Sequence, residues 1–123
     1  MEFLKRILAV AALSLVMSVT CSAHSVTLSF TRSVDDTQAT GMGYTTWRMS
    51  GACPASVTTT TGFTALNSTL FTATSYVDTT VVPGSYCYVV TFSNTTATSV
   101  PSNTAEAVVL PAAPTNVTVG STN

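Results

Sequence analysis

The residues able to do chemistry are few: one histidine, three cysteines, four Lys or Arg and five Asp or Glu in 123 residues. His24 is the sharpest candidate, because as the first residue of a processed chain its α-amine and ring nitrogen would chelate copper. A site of that kind needs a second histidine, and the remaining soft candidates, Met42 and Met49, suit Cu(I) at best. No metal is therefore assigned to His24. Asp35-Asp36 could open a calcium site, but calcium takes six or more oxygens from several converging carboxylates. Turn formation accounts better for two adjacent aspartates, whose side chains accept from nearby backbone N–H groups. Asp78, in Val77-Asp78-Thr79, also reads as a turn former, and Glu106 stands apart, so no carboxylate pair for glycoside chemistry can be assembled. The many hydroxyls have one histidine to activate them and no Gly-x-Ser-x-Gly turn. The expectation is a protein with no catalytic residues and no cofactor.

The cysteines depend on compartment. Lys5-Arg6 precedes the apolar run Ile7 to Val19, which is too short to span a bilayer comfortably. Small residues at Cys21 and Ala23 fit a secretory signal over residues 1–23 cut after Ala23. The membrane is then met only through a transient leader, and the product is secreted or held at the cell surface. The competing reading, Cys21 as a lipidated N-terminus, meets Ser18-Val19-Thr20 in place of the residues lipoprotein processing prefers. Cleavage leaves Cys53 and Cys87, an even pair in an oxidising compartment, which should form a disulfide. It would close a loop of about 35 residues and stabilise by roughly 3.5–4 kcal/mol.

Charged residues make up 7% of the chain. Beyond residue 23 the cations are Arg32 and Arg48, against Asp35, Asp36, Asp78 and Glu106. No basic surface can neutralise a run of phosphates, which excludes nucleic acid as a partner.

The elements that must position these residues are strands. No stretch beyond the leader has apolar residues at helical spacing, while Thr, Ser and Val abound and Gly, Pro and Asn punctuate at short intervals. Val26, Leu28 and Phe30 alternate with polar residues, which predicts a strand with one buried face. Further strands are expected over Tyr44 to Met49, Phe63 to Leu66, Thr74 to Val77, Ser85 to Ser93 and Ala105 to Leu110. Gly51 to Gly62 reads as an irregular, Thr-rich excursion that begins near Cys53. Asn67-Ser-Thr, Asn94-Thr-Thr and Asn116-Val-Thr match the glycosylation pattern and mainly indicate exposed turns. Short strands at regular spacing predict an all-β antiparallel sandwich.

HSVTLSF, GYTTWR, TSYVDTTVVPGSYCYVVTFSN and PSNTAEAVV together resemble the fibronectin type III domain, particularly short secreted bacterial members, over residues 24–110. The resemblance implies an immunoglobulin-like sandwich in which Asp78 and Tyr86 build a structural corner around Pro83-Gly84. It implies Tyr86, Tyr88, Val90 and Phe92 pointing inward and Cys87, Val89 and Thr91 outward. The chain departs from the family at Phe30, where a Trp is usual, and at Thr46, where Val or Ile is usual. The family's first strand is missing from its usual place, because the processed chain would start at the second. The tail, residues 111–123, resembles the Pro-rich lead-in and first strand of such a domain. It reads as a frayed end or a truncated repeat, with a displaced strand as the alternative.

On this reading Trp47 faces outward beside Cys87 and Val89, with Met49 on the same face, giving a candidate binding surface of Trp47, Met49 and Val89. The competing expectation is that the Cys53–Cys87 bridge folds the excursion over Trp47. The function expected is a secreted, non-catalytic binding or adhesion module for a protein or glycan on an extracellular surface. Two rivals remain: a structural subunit that self-assembles by strand donation from its tail, and a carbohydrate-binding module using Trp47.

Overall fold

The computed structural model describes residues 17–22 and 24–121. The described residues form seven strands: β1 (Met17–Ser22), β2 (Ser25–Phe30), β3 (Gly43–Ser50), β4 (Thr64–Ala65), β5 (Ser75–Asp78), β6 (Gly84–Ser93) and β7 (Ala105–Val109). They make two antiparallel sheets, ordered β1-β2-β5 and β4-β3-β6-β7. This is the all-β sandwich that the alternation predicts, with the Cys53–Cys87 disulfide in place.

Each sheet places its alternating side chains by the period of two. In β2, Val26, Leu28 and Phe30 are buried while Ser25, Thr27 and Ser29 are half-exposed. Strand β6 lies between β3 and β7, and seven of its ten residues, Tyr86 to Phe92, are buried in succession. A central strand buried on both faces loses the polar alternation that marks a one-sided strand. The interior divides into two clusters. Val26, Leu28, Val81, Tyr86, Tyr88, Ala107 and Val109 fill one end, and Phe30, Tyr44, Val90 and Phe92 fill the other, where Phe71 packs against them. Phe30 and Tyr44 meet edge to face with ring centroids 4.7 Å apart, the geometry that sets a ring's positive edge on another's negative face. Gly43 is required beside this cluster, since a Cβ there would stand 2.7 Å from the Phe71 carbonyl oxygen.

One expectation is corrected. The first strand is not missing from the 123-residue chain, because β1 occupies that position and pairs along the whole of β2, from Met17 opposite Phe30 to Ser22 opposite Ser25. The segment Ser18-Val19-Thr20 has the same polar–β-branched pattern as Ser25-Val26-Thr27, and a strand pattern at the end of an apolar run reads as leader when taken alone. Residues 1–16 of the expected signal, and Ala23 at its cut, lie outside the described residues.

Candidate functional site

The charged residues are drawn into two arrangements of the same kind, one at each end of the sandwich. At the Val26 end, Asp78 is buried, and its Oδ2 accepts from Tyr88 Oη at 2.7 Å and from Arg48 Nη1 at 2.8 Å. Its Oδ1 accepts from the Thr80 hydroxyl at 2.7 Å and the Thr80 amide at 3.0 Å. The guanidinium of Arg48 also lies over the Tyr86 ring, 5.1 Å from its centroid, a cation–π contact. At the Phe30 end, Asp36 Oδ2 accepts from Tyr44 Oη at 2.7 Å and Arg32 Nη1 at 2.8 Å, and its Oδ1 accepts from the Gln38 amide. Tyr44 Oη in turn accepts the Ser33 amide at 3.0 Å.

These contacts decide protonation. Burial pushes Asp78 upward, but hydrogen bonds from Thr80, Tyr88 and Arg48 outweigh it, and its pKa falls below the ordinary carboxylate value. For Asp36, burial is likewise outweighed, by Tyr44, Gln38 and Arg32, and its pKa is also lowered. Burial and the adjacent carboxylates hold the Tyr88 and Tyr44 hydroxyls well above the usual phenol range. Both carboxylates thus stay ionised with their acceptor positions engaged, which suits holding loops to the sandwich. Tyr86 Oη donates to the Val82 carbonyl at 2.8 Å and accepts the Val82 amide at 3.1 Å, closing the corner ahead of β6.

The face around Trp47 is the remaining candidate. Trp47 lies opposite Val89 on β6 and Ala65 on β4, and Met49 lies opposite Cys87. Trp47 and Met49 are half-buried, and the indole Nε1 donates to Thr91 Oγ1 at 3.0 Å. Val89, expected on this surface, is 0% exposed, as is Cys87. The accessible surface therefore reduces to Trp47 and Met49. The excursion after β3 is tethered to this side of the sandwich: the Gly51 amide donates to the Ser85 carbonyl, the Cys53 amide donates to Glu106 Oε1 at 3.1 Å, and the disulfide ties Cys53 to Cys87.

The other singled-out residues are scattered. His24 sits exposed between β1 and β2 with φ 65°. Met42 packs at the opposite, Phe30 end, where its sulfur accepts from Thr37. No group of three or more His, Cys, Asp or Glu that could hold a metal occurs among the described residues. Asp35 serves the loop through its amide, which donates to Ser33 Oγ. Among the described residues no helix is long and apolar enough to cross a membrane.

Asn67 does not behave as an exposed acceptor turn. Its Oδ1 accepts the Thr46 amide at 2.9 Å, and its Nδ2 donates to the Tyr44 and Thr69 carbonyls. The side chain substitutes for a strand along the edge of β3. Sequence reasoning missed this, and it missed the pairing of Arg48 with Asp78. The available signal was scarcity: two arginines and four acids beyond residue 23 leave few ways to pair.

No protein-family model and no curated protein matches the chain. Solved structures do. An Fn3-like protein from Clostridium thermocellum superposes with a TM-score of 0.55 at 21% identity, over 74% of this chain and 84% of its own. A multidomain fragment of titin gives 0.60 at 16% identity, over 78% of this chain and 31% of the fragment. The fibronectin type III domain of human fibronectin type III domain containing protein 3 gives 0.57 at 13% identity, over 80% and 88%.

Proposed function

We propose, from the fibronectin type III fold that this chain has, that it is an exported, non-catalytic module that binds a protein partner at an extracellular surface. The leader over residues 1–23 carries the export step in this reading, and the disulfide is consistent with an oxidising destination. Fold alone does not select a ligand, so the site must do so.

The observation that carries the reading is the state of Trp47. Its N–H is spent on Thr91, and its neighbours across the sheet are Ala65 and Val89, with Met49 on the same face. What it offers is apolar ring surface beside a thioether, which suits a protein contact. A sugar platform adds polar side chains beside the ring to bind hydroxyls, and the one large polar neighbour in sequence, Arg48, is engaged with Asp78 on the inner side. The protein reading is thus favoured over the glycan one.

Trp47 is the single tryptophan, so its emission is a direct probe in screens against extracellular proteins and glycan panels. A protein ligand that shifts Trp47 emission, and whose binding is lost in Trp47→Ala and Met49→Ser with unfolding midpoints retained, supports the reading. Binding that survives both substitutions removes this face, and a glycan ligand with the same dependence on Trp47 turns the assignment to carbohydrate.

A further inference from the structure

Cleavage after Ala23 would remove a strand of the sandwich. The cut falls between the end of β1 at Ser22 and the start of β2 at Ser25. Without β1, strand β2 keeps β5 on one side only, and the N–H and C=O groups that faced β1 become a template for another strand. The positions to be refilled lie opposite Leu28 and Val26, taken in β1 by Val19 and Cys21.

The tail carries the pattern of the strand that is lost. Residues 18–22 read Ser-Val-Thr-Cys-Ser, and residues 116–120 read Asn-Val-Thr-Val-Gly. The tail has no regular structure from Pro111 to Ser121, and Val117 and Val119 are 84% and 85% exposed. Set on β2 in the register of β1, Val117 stands opposite Leu28, Thr118 opposite Thr27 and Val119 opposite Val26. Both valines then share the core face of Leu28 and Val26, whereas a slip of one residue would turn both to solvent. Pro111 and Pro114 keep the lead-in extended.

The direction of the chain selects the occupant. Strand β7 ends at Val109 in the cluster that contains Val26, while Phe30 belongs to the other end. Strand β1 runs from the Phe30 end to the Ser25 end. A tail following that path on its own sandwich would first have to climb to the Phe30 end and then reverse. Strand β2 is about 17 Å long and the sheets stand about 10 Å apart, so the climb is about 20 Å. The steps from Leu110 to Thr115 reach at most about 18 Å fully extended, with no length left for the turn.

We propose that the processed chain donates residues 115–120 to the β2 edge of a second copy, replacing β1 and linking copies through their tails. The inference rests on the cut after Ala23 proposed above. The test uses protein exported from the 123-residue precursor and purified without reductant. Intact mass reads the first residue, so a failure of processing is seen separately from a failure of association. With a His24 start, light scattering should give dimers or longer assemblies at tens of micromolar, and the double variant Val117→Asp, Val119→Asp should be monomeric. A peptide of residues 111–121 added to that variant should bind and protect the β2 amides from hydrogen exchange, which keeps the test decisive if the variant folds poorly alone. A His24-start chain that remains monomeric, or assemblies indifferent to the two aspartates, overturns the proposal. So does a mature chain that retains β1, because its β2 edge is already filled.

Discussion

Tyr88 donates its hydroxyl proton to the buried carboxylate of Asp78 at 2.7 Å, and Arg48, thirty residues before Asp78 in sequence, reaches the same oxygen. This contact ties the corner before β6 to the middle of β3 and β6. Asp78→Ala should lower unfolding free energy by about 3–5 kcal/mol, the range for removing one partner of a buried pair. It leaves the Tyr88 hydroxyl and the Arg48 guanidinium without their acceptor. Urea denaturation measures it, and a loss under about 1 kcal/mol would refute the anchoring role.

The two Tyr–Asp pairs bound stability on the pH axis. The folded pKa values of Asp36 and Asp78 are lowered, so their contribution is complete above the ordinary value of 3.8 and is lost as pH falls through the folded values. The folded pKa values of Tyr44 and Tyr88 are raised, so their contribution is complete below the ordinary value of 10.0 and is lost as pH rises toward the folded values. Thermal midpoints should be flat between these limits and fall outside them. In an alkaline absorbance titration, Tyr44 and Tyr88 should ionise only as the chain unfolds.

The Cys53–Cys87 bridge ties the excursion after β3 to β6. Replacing both cysteines by serine should cost roughly 4 kcal/mol of stability from the lost loop closure, read as a lower urea midpoint. A loss under about 1 kcal/mol would show that the bridge adds little to the folded chain.

Thr46 offers a gain. Its side chain is fully buried on β3, and its Oγ1 has no hydrogen-bond partner among the described residues. Thr46→Val keeps the shape and removes an unsatisfied polar atom, which should stabilise by about 1 kcal/mol. The backbone bonds of Thr46 to Asn67 and Leu66 are unaffected by the change. A lower midpoint in calorimetry would mean that the hydroxyl is satisfied in solution.

Much of this protein can be read without coordinates, because the information is local. Alternation along Val26, Leu28 and Phe30 assigns a strand and its buried face, since side chains change sides at every residue. The run from Tyr86 to Phe92 reads as a strand from its aromatic and β-branched residue types, and an even count of cysteines beyond Ala23 predicts their bond. Period-two reading assigns a face; it does not say what lies above that face. Val89 points outward and is nevertheless buried, and the loop after β3 is tied to the same strand through Cys53–Cys87, 34 residues apart in sequence. Asp78 looks like a turn former from its neighbours, and the Thr80 contacts are of that kind, but its anchoring role depends on Arg48 and Tyr88, which only the packing of the two sheets brings together. The same holds for Met17–Ser22, whose pairing along the whole of β2 does not follow from their own residues. Strand propensity and cysteine chemistry were settled by residue type and spacing; cover, charge pairing and edge occupancy were settled by which distant segments the sandwich sets side by side.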